Sequence, residues 1–473
     1  MKWGETWKYI AGPPHFYHQQ INRMRCMYMM NKYTIMEKTM KKAMALFITL
    51  VVIASVAMAW PWDKKTSEKI SAFDPNKQYT ISVGCFGDLE TAYKAVFESA
   101  DFKTKYPNIK FKFQTADFSG HHNRLTTVLA AGEATNDIEA IEIGYVAKFV
   151  EGGGLTDLAA KPFDGFVAGK DLVKFAMANA TTKKKQLVAM PVDIAPAVLF
   201  YRKSLADKAG VNLDNLKDWD EFIKVGKKLT IDKNGDGKID QYAIPHAAEV
   251  AMMPLNGGKG GWIDANGKPL EPKQKFIDSL NLVLNIRKAG IDADLGAWSG
   301  PWIQAFPDGT VAAIVNGAWW GGSLKNWVAP DLSGDWRVAY LPGKQYASQG
   351  GTYLCIPENV PAEQKAAAWE IIKYLTTSPN AQLITFKTID AFPALTTVYN
   401  DPVMNEPVEY FGGQKVRLIY ADVARNIPAM TVSEYDAIIN AIFGNAVTDV
   451  LVNGKTPEEA YKKALNDISS VLY

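Results

Sequence analysis

The chain has 473 residues, too long for one small domain, so two or three hydrophobic cores are expected. Hydrophobic residues make up 48% and charged residues 22%, which excludes a disordered chain and a polytopic membrane protein. The net charge of +2 hides an asymmetry: residues 1–59 hold eight Lys/Arg against two acidic groups, and the 44 basic and 48 acidic groups beyond them form a mildly acidic body that excludes nucleic acid as the natural partner.

Residues 1–39, with Cys26 among many Met and aromatic residues, read as an upstream extension without a fold of its own. Lys38, Lys41 and Lys42 precede an apolar run from Ala43 to Ala57, and Ala57-Met58-Ala59 is a small-x-small cleavage site. Residues 40–59 therefore read as a cleavable secretory signal peptide starting at Met40. The apolar run, about 15 residues, is short for a spanning helix, which needs about 20; an uncleaved anchor is the alternative. No Cys follows the run closely, which argues against a lipid anchor. The expected location is periplasmic or extracellular. Cys85 and Cys355, the remaining cysteines, are too few for a disulfide framework and are expected to be buried thiols.

After a polar linker at 60–77, Tyr79–Val83 is a β-rich run ending at Gly84, and Leu89–Ala100 has a helical pattern. Ile109–Phe113 alternates as a strand, a helix follows around Arg124–Ala131, and Ile138–Ile143 is a third apolar strand. Strands alternating with helices imply parallel βαβ units in a doubly wound sheet. Leu187–Met190 and Ala197–Tyr201 read as two short strands around the turn-like Pro191 and Pro196, with helices near 203–210 and 218–229. Val311–Val315 and Thr352–Ile356 are further apolar runs. Helices are expected at Ala362–Thr377, Ser433–Leu451 and Pro457–Leu472, the last capped by Thr456 with Pro457 in its first turn.

Asp232-Lys-Asn-Gly-Asp-Gly-Lys-Ile-Asp240 is the sharpest local motif. Side-chain oxygens of Asp232, Asn234, Asp236 and Asp240, the Lys238 carbonyl and the Gly at position 6 make an EF-hand-like loop for structural Ca2+. Position 12 holds Ala243 where a bidentate Glu would stand, so Gln241 or a distant carboxylate would have to complete the shell. A solvated Asn-Gly/Asp-Gly turn is the plain alternative.

Several segments in order resemble the extracellular solute-binding proteins of bacterial sugar importers, the maltose-binding-like family. They are Leu129–Ile138, Glu151–Leu158, Leu199-Phe-Tyr-Arg-Lys203 with Asp218-Trp-Asp-Glu-Phe222, Gly309–Trp319, Gly350–Leu354 and Gly454–Ala460. The resemblance covers roughly residues 78–472. It implies an α/β fold of two lobes, periplasmic-binding-protein-like, each a doubly wound mixed sheet flanked by helices with the ligand cleft between. It further implies high-affinity capture of a sugar or oligosaccharide, delivery to a transmembrane permease with its ATPase, a monomer, and no enzymatic activity or catalytic cofactor. The expected parts are 78–192 (lobe 1), 193–340 (lobe 2), 341–395 (return to lobe 1) and 396–473 (return to lobe 2). Arg202 stands where the family usually has Asn, which is expected to alter the hinge or rim there.

A sugar ring offers an apolar face to aromatic rings and a rim of hydroxyls to carboxylates and amides. Trp298, Trp302, Trp319, Trp320, Trp327 and Trp336 crowd into one region, mostly as core by ordinary expectation. Adjacent residues point opposite ways, and Gly neighbours let a ligand approach, so one of Trp319 and Trp320 is expected to stack on sugar. Trp262 earns the same reading from its Gly-rich approach, and Trp302 is the reserve. Asp88, beyond the first strand, is a candidate for sugar hydroxyls or a helix N-cap. Ser119 and His121 after the second strand, Tyr145 after the third, and Tyr353 in the Gly350–Leu354 block complete the candidates, with solvated loop positions as the plain reading of Ser119, His121 and Tyr145. Asp193 matches the family's cleft floor. The competing class is a secreted glycoside hydrolase, which needs two carboxylates about 5–10 Å apart; Asp88 and Asp193 are the available pair.

Overall fold

Alternating burial marks the edge strand Ile109–Ala116, while Ile138–Glu142, Met190–Arg202 and Ala313–Gly317 are near-continuous buried runs. The computed structural model describes Ile70 and residues 72–472 apart from 134, 257–260, 265, 431 and 434, so the upstream extension, the signal peptide, Cys26 and most of the linker lie outside the described residues. Eight strands follow in chain order: β1 (Tyr79–Phe86), β2 (Ile109–Ala116), β3 (Ile138–Glu142), β4 (Met190–Arg202), β5 (Ala313–Gly317), β6 (Trp336–Ala339), β7 (Ser348–Cys355) and β8 (Phe392–Pro393). They run in the order β2-β1-β3-β7-β4-β5, with β6 and β8 also on β4. β2 and β3 are parallel to β1, whereas β7 is antiparallel to β3 and β4, so the sheet is mixed.

The helices Leu89–Glu98 and Phe118–Ala131 make the βαβ crossovers. The second is cut by its own residues: the Asp117 side chain accepts from Gly120 N at 2.9 Å, and Gly132 closes the far end at φ 66°. At the C-terminus Thr456 and Glu459 cap Pro457–Leu472 reciprocally. Glu459 N donates to Thr456 Oγ1 at 3.2 Å and Thr456 N to Glu459 Oε2 at 2.9 Å.

β4 differs from its expected form. Two short strands around a proline turn become one strand, buried at all 13 positions. The prolines are tolerated because the ladder is irregular beside them, with register shifts between Pro191 and Asp193 and between Ile194 and Pro196. Residues 190–196 pair with β7, while 197–202 pair with β5 and β6, so one strand serves two sheets. In its second half Val198 and Phe200 join one core, with Trp302, Trp320 and Trp336, while Ala197, Leu199 and Tyr201 join the other, with Phe276 and Phe443.

Arg202, the departure from the family pattern, is buried at the end of β4. It is ion-paired with Asp335, bonds the Phe306 carbonyl at 3.2 Å and lies over Trp336, so it braces the core there. Cys85 and Cys355 are buried free thiols, on β1 and β7 with β3 between them. No helix among the described residues is long and apolar enough to cross a membrane.

Trp320 is 0% exposed and packs edge-on against Phe306 and Trp319. Trp320→Ala should cost about 3–5 kcal/mol of stability. A denaturant melt checks this, and a loss below about 1 kcal/mol would contradict the assignment to the core.

Candidate ligand-binding site

A cavity of about 410 Å3 opens beside the Ser348 end of β7, the end that pairs with Pro196 of β4. One wall is the carboxyl end of β3 and the helix Ile143–Gly152 that follows it, joined by Asn179. The facing wall is the turn Ala247–Val250, the helix Met252–Asn256, and the ring of Trp262, which stacks on Phe276 at 5.7 Å. Ser348, Gln349 and Gly350 of β7 form the floor. Asn256 Nδ2 bonds the Ser348 carbonyl at 3.1 Å and ties the second wall to it.

Three acidic residues line this space, Glu142, Glu249 and Asp436, the first two on the two walls just described. Glu142 ends β3, and its Oε2 accepts from Gly144 N at 2.7 Å, capping the next helix. Its backbone N–H donates to His122 Nε2 at 3.0 Å, so the His122 proton sits on Nδ1, which donates to the Phe118 carbonyl at 2.7 Å. Burial pushes the Glu142 carboxyl up to about 7, Asp193 adding to it. Glu249 Oε1 accepts from Trp302 Nε1 at 2.6 Å, and burial, with Asp292 nearby, pushes it up to about 7 as well. Asp292 in turn accepts from Ala247 N at 3.0 Å and is held by Arg287, which fixes the turn carrying Glu249. Lys275 also lines the cavity, its ammonium pushed below its ordinary value by burial. Asn179 Oδ1 and Gln349 Oε1 are buried without a hydrogen bond. Such groups cost free energy until a ligand's hydroxyls or water reach them.

Of the residues expected from the sequence, the structure places Trp262 on the cavity wall. Trp302 is buried and reaches the site only through Glu249. Trp319 is half-buried beside the floor, its Nε1 donating to the Gln349 carbonyl at 2.9 Å, whereas Trp320 lies in the core. Asp193 is buried in β4. Its Oδ1 accepts from Thr352 N at 3.1 Å, its Oδ2 has no partner, and burial pushes it up to about 6. The Tyr353 hydroxyl is buried and unbonded, beside Asn179. Asp88 is exposed at the N-cap of Leu89–Glu98 without a side-chain capping bond, and Ser119 is exposed in the first turn of its helix. Tyr145 stacks on His122 at 4.1 Å, half-buried.

His121 is neither a loop residue nor a cavity residue. The helix starts at Phe118 and turns the ring inward, where Nε2 bonds the Ala140 carbonyl at 2.7 Å and Glu139 lies 3.9 Å away. Asp88 and Asp193, the pair a hydrolase would need, are both absent from the cavity lining. Glu142, Glu249, Asn179, Gln349 and Lys275 were not anticipated. Only Glu142 carried a signal, as the last polar residue of an apolar strand.

The loop 232–240 satisfies itself. Asp232 accepts from Gly235 N at 2.6 Å and Gly237 N at 2.8 Å, Asn234 from Asp236 N at 2.8 Å, and Asp236 from Lys238 N at 2.8 Å. These backbone donors, Gly237 first, hold the Asp232 carboxyl below its ordinary value. The Gln241 amide donates to the Leu229 carbonyl, and Ala243 is buried. Among the described residues no three His, Cys, Asp or Glu gather as a metal ion would need.

The raised carboxylates fix a sign. A carboxyl whose folded value exceeds its unfolded one binds more protons when folded, so stability falls as pH rises from the unfolded value through the folded one. Glu142 and Glu249 should therefore each contribute a fall in the melting temperature between about pH 5 and about pH 8, opposed at its acid end by His121 and His122. Glu142→Gln and Glu249→Gln should each make the slope over that range less negative than in the unaltered protein. Melts at several pH values check it; a slope unchanged in both variants would contradict it.

A family model described as bacterial extracellular solute-binding protein matches residues 99–412. The arabinooligosaccharide-binding protein of Halalkalibacterium halodurans is 25% identical over 397 residues, 79% of this chain and 86% of that protein. Among solved structures, an extracellular solute-binding protein of family 1 superposes with a TM-score of 0.72 at 23% identity, covering 84% of this chain and 100% of that one. The galacto-N-biose-/lacto-N-biose I-binding protein of the Bifidobacterium longum ABC transporter, solved with lacto-N-biose, superposes at 0.68 with 19% identity, covering 84% and 98%. With its mixed sheets, the shared strand and a match over most of its length, the chain belongs to the bacterial extracellular solute-binding proteins.

Proposed function

We propose that this protein captures a sugar or oligosaccharide outside the inner membrane and hands it to the permease of an ATP-driven importer. The observation that carries the reading is the cavity wall itself. An aromatic ring, Trp262, stands with hydrogen-bonding groups supplied from both walls and from the floor, the pairing of surfaces that a sugar's face and rim demand. Relatives named for arabinooligosaccharide and for lacto-N-biose support the ligand class. The protein acts as a carrier and not an enzyme in this reading, as a secreted monomer whose signal peptide is residues 40–59. The lobes are the parts 78–192 with 341–395 and 193–340 with 396–473, and a bound sugar draws them together.

Calorimetric titration with arabino-, malto- and galacto-oligosaccharides tests this, with expected one-to-one binding. Trp262→Ala should weaken binding at least about tenfold, and small-angle scattering should show compaction with the bound sugar. Tight binding that leaves the dimensions unchanged, or no binding across the panel, would contradict the reading.

We also propose structural Ca2+ at Asp232, Asn234, Asp236, Lys238 and Asp240, carried by the sequence pattern alone. An ion that binds only the folded chain raises the melting temperature. Calcium should raise it, chelator should reverse the rise, and Asp236→Ala should abolish the response. A melt indifferent to calcium reduces the loop to a self-bonded turn.

A further inference from the structure

Trp298 sits in a left-handed backbone conformation, φ 65°, and the residue is 58% exposed. A bulky L residue rarely adopts that region, and such strain persists only where the surroundings impose it. The surroundings are visible. The Trp298 indole lies nearly parallel on Trp319, with centroids 5.9 Å apart and planes 15° apart, and it meets Trp302 at 5.3 Å and Trp320 edge-on at 6.0 Å. The next residue, Ser299, caps the helix Gly300–Asp308 by accepting from Trp302 N at 3.2 Å, which fixes the chain on that side.

The backing ring is held at its edge, and one of its faces is covered by Trp298. Trp319 is tied to the Gln349 carbonyl, and a Cβ at Gly317 or Gly350 would stand only 2.7 or 3.2 Å from its Nε1. The face this stack turns outward is therefore that of Trp298. Its place also matters: Gln349 and Gly350 belong to the cavity floor, so the stack begins where the floor ends. The cavity, about 410 Å3, lies toward the small end of ligand sites, which span about 300–1,000 Å3.

We infer that Trp298 is an outer stacking surface for a sugar unit beyond the cavity, and that it makes the protein favour longer oligosaccharides over disaccharides. This rests on the sugar reading above. An aromatic face held in advance loses little freedom on binding, which is what a preorganised platform supplies.

The test is calorimetric titration of the full chain, Trp298→Ala and Trp298→Phe with disaccharides and with tetrameric and longer members of the arabino-, malto- and galacto-series. Trp298→Ala should weaken the longer sugars at least about tenfold while changing disaccharides less than about twofold. Trp298→Phe should recover most of the loss, and all three proteins should melt alike. Equal loss at every length, no loss, or wild-type protein that holds disaccharides as tightly as longer sugars overturns the inference and leaves the sugar reading standing. A wild-type protein that binds no sugar in the panel overturns the sugar reading itself.

Discussion

One strand joins the two hydrophobic cores of the described residues. Met190–Arg202 is buried along its whole length, hydrogen-bonds to β7 and β8 in its first half and to β5 and β6 in its second, and contributes alternate side chains to two cores. A backbone buried this deeply must satisfy its polar groups in a sheet, so it cannot be a loose linker. The ladder is irregular just before the exchange of partners, between Ile194 and Pro196, and the Ser348 end of β7 that pairs with Pro196 forms the cavity floor.

The same economy of partners separates structural charges from those of the site. Three other acids away from solvent meet cations: Glu139 pairs with Arg124 at 2.7 Å, Asp292 with Arg287 at 2.8 Å, and the partly buried Asp335 with Arg202, whereas Asp193 has only the Thr352 N–H. Glu142 and Glu249 line the cavity with only a neutral N–H each, which is why burial lifts both. Asn179 and Gln349 beside them hold acceptors with no donor. Unpaired acceptors on the cavity lining are groups that a hydroxyl-rich ligand can complete.

Much of the fold was legible because local chemistry and tertiary position agree. The third strand and the capped C-terminal helix lie where their periodicity and caps put them. β4 was misread because proline signals a turn locally, and only the bulged ladder with β7 makes room for it. The site was harder. Trp319 and Trp320 do face different surroundings, as adjacency demands, yet nothing local says that the outward surface belongs to Trp298, twenty-one positions earlier than Trp319 in the chain. His121 shows the converse, since its inward face follows from a helix start that sequence spacing placed several residues later. Glu249 becomes visible only when folding sets its turn opposite the end of β3.

The central claim is that the cavity retains an intact sugar. Native mass spectrometry of the purified protein, mixed with oligosaccharides and then released by denaturation, tests it most directly. The account predicts a one-to-one complex whose released sugar has the mass of an unaltered oligosaccharide. Shorter products accumulating with time, or no complex with any sugar, would contradict it.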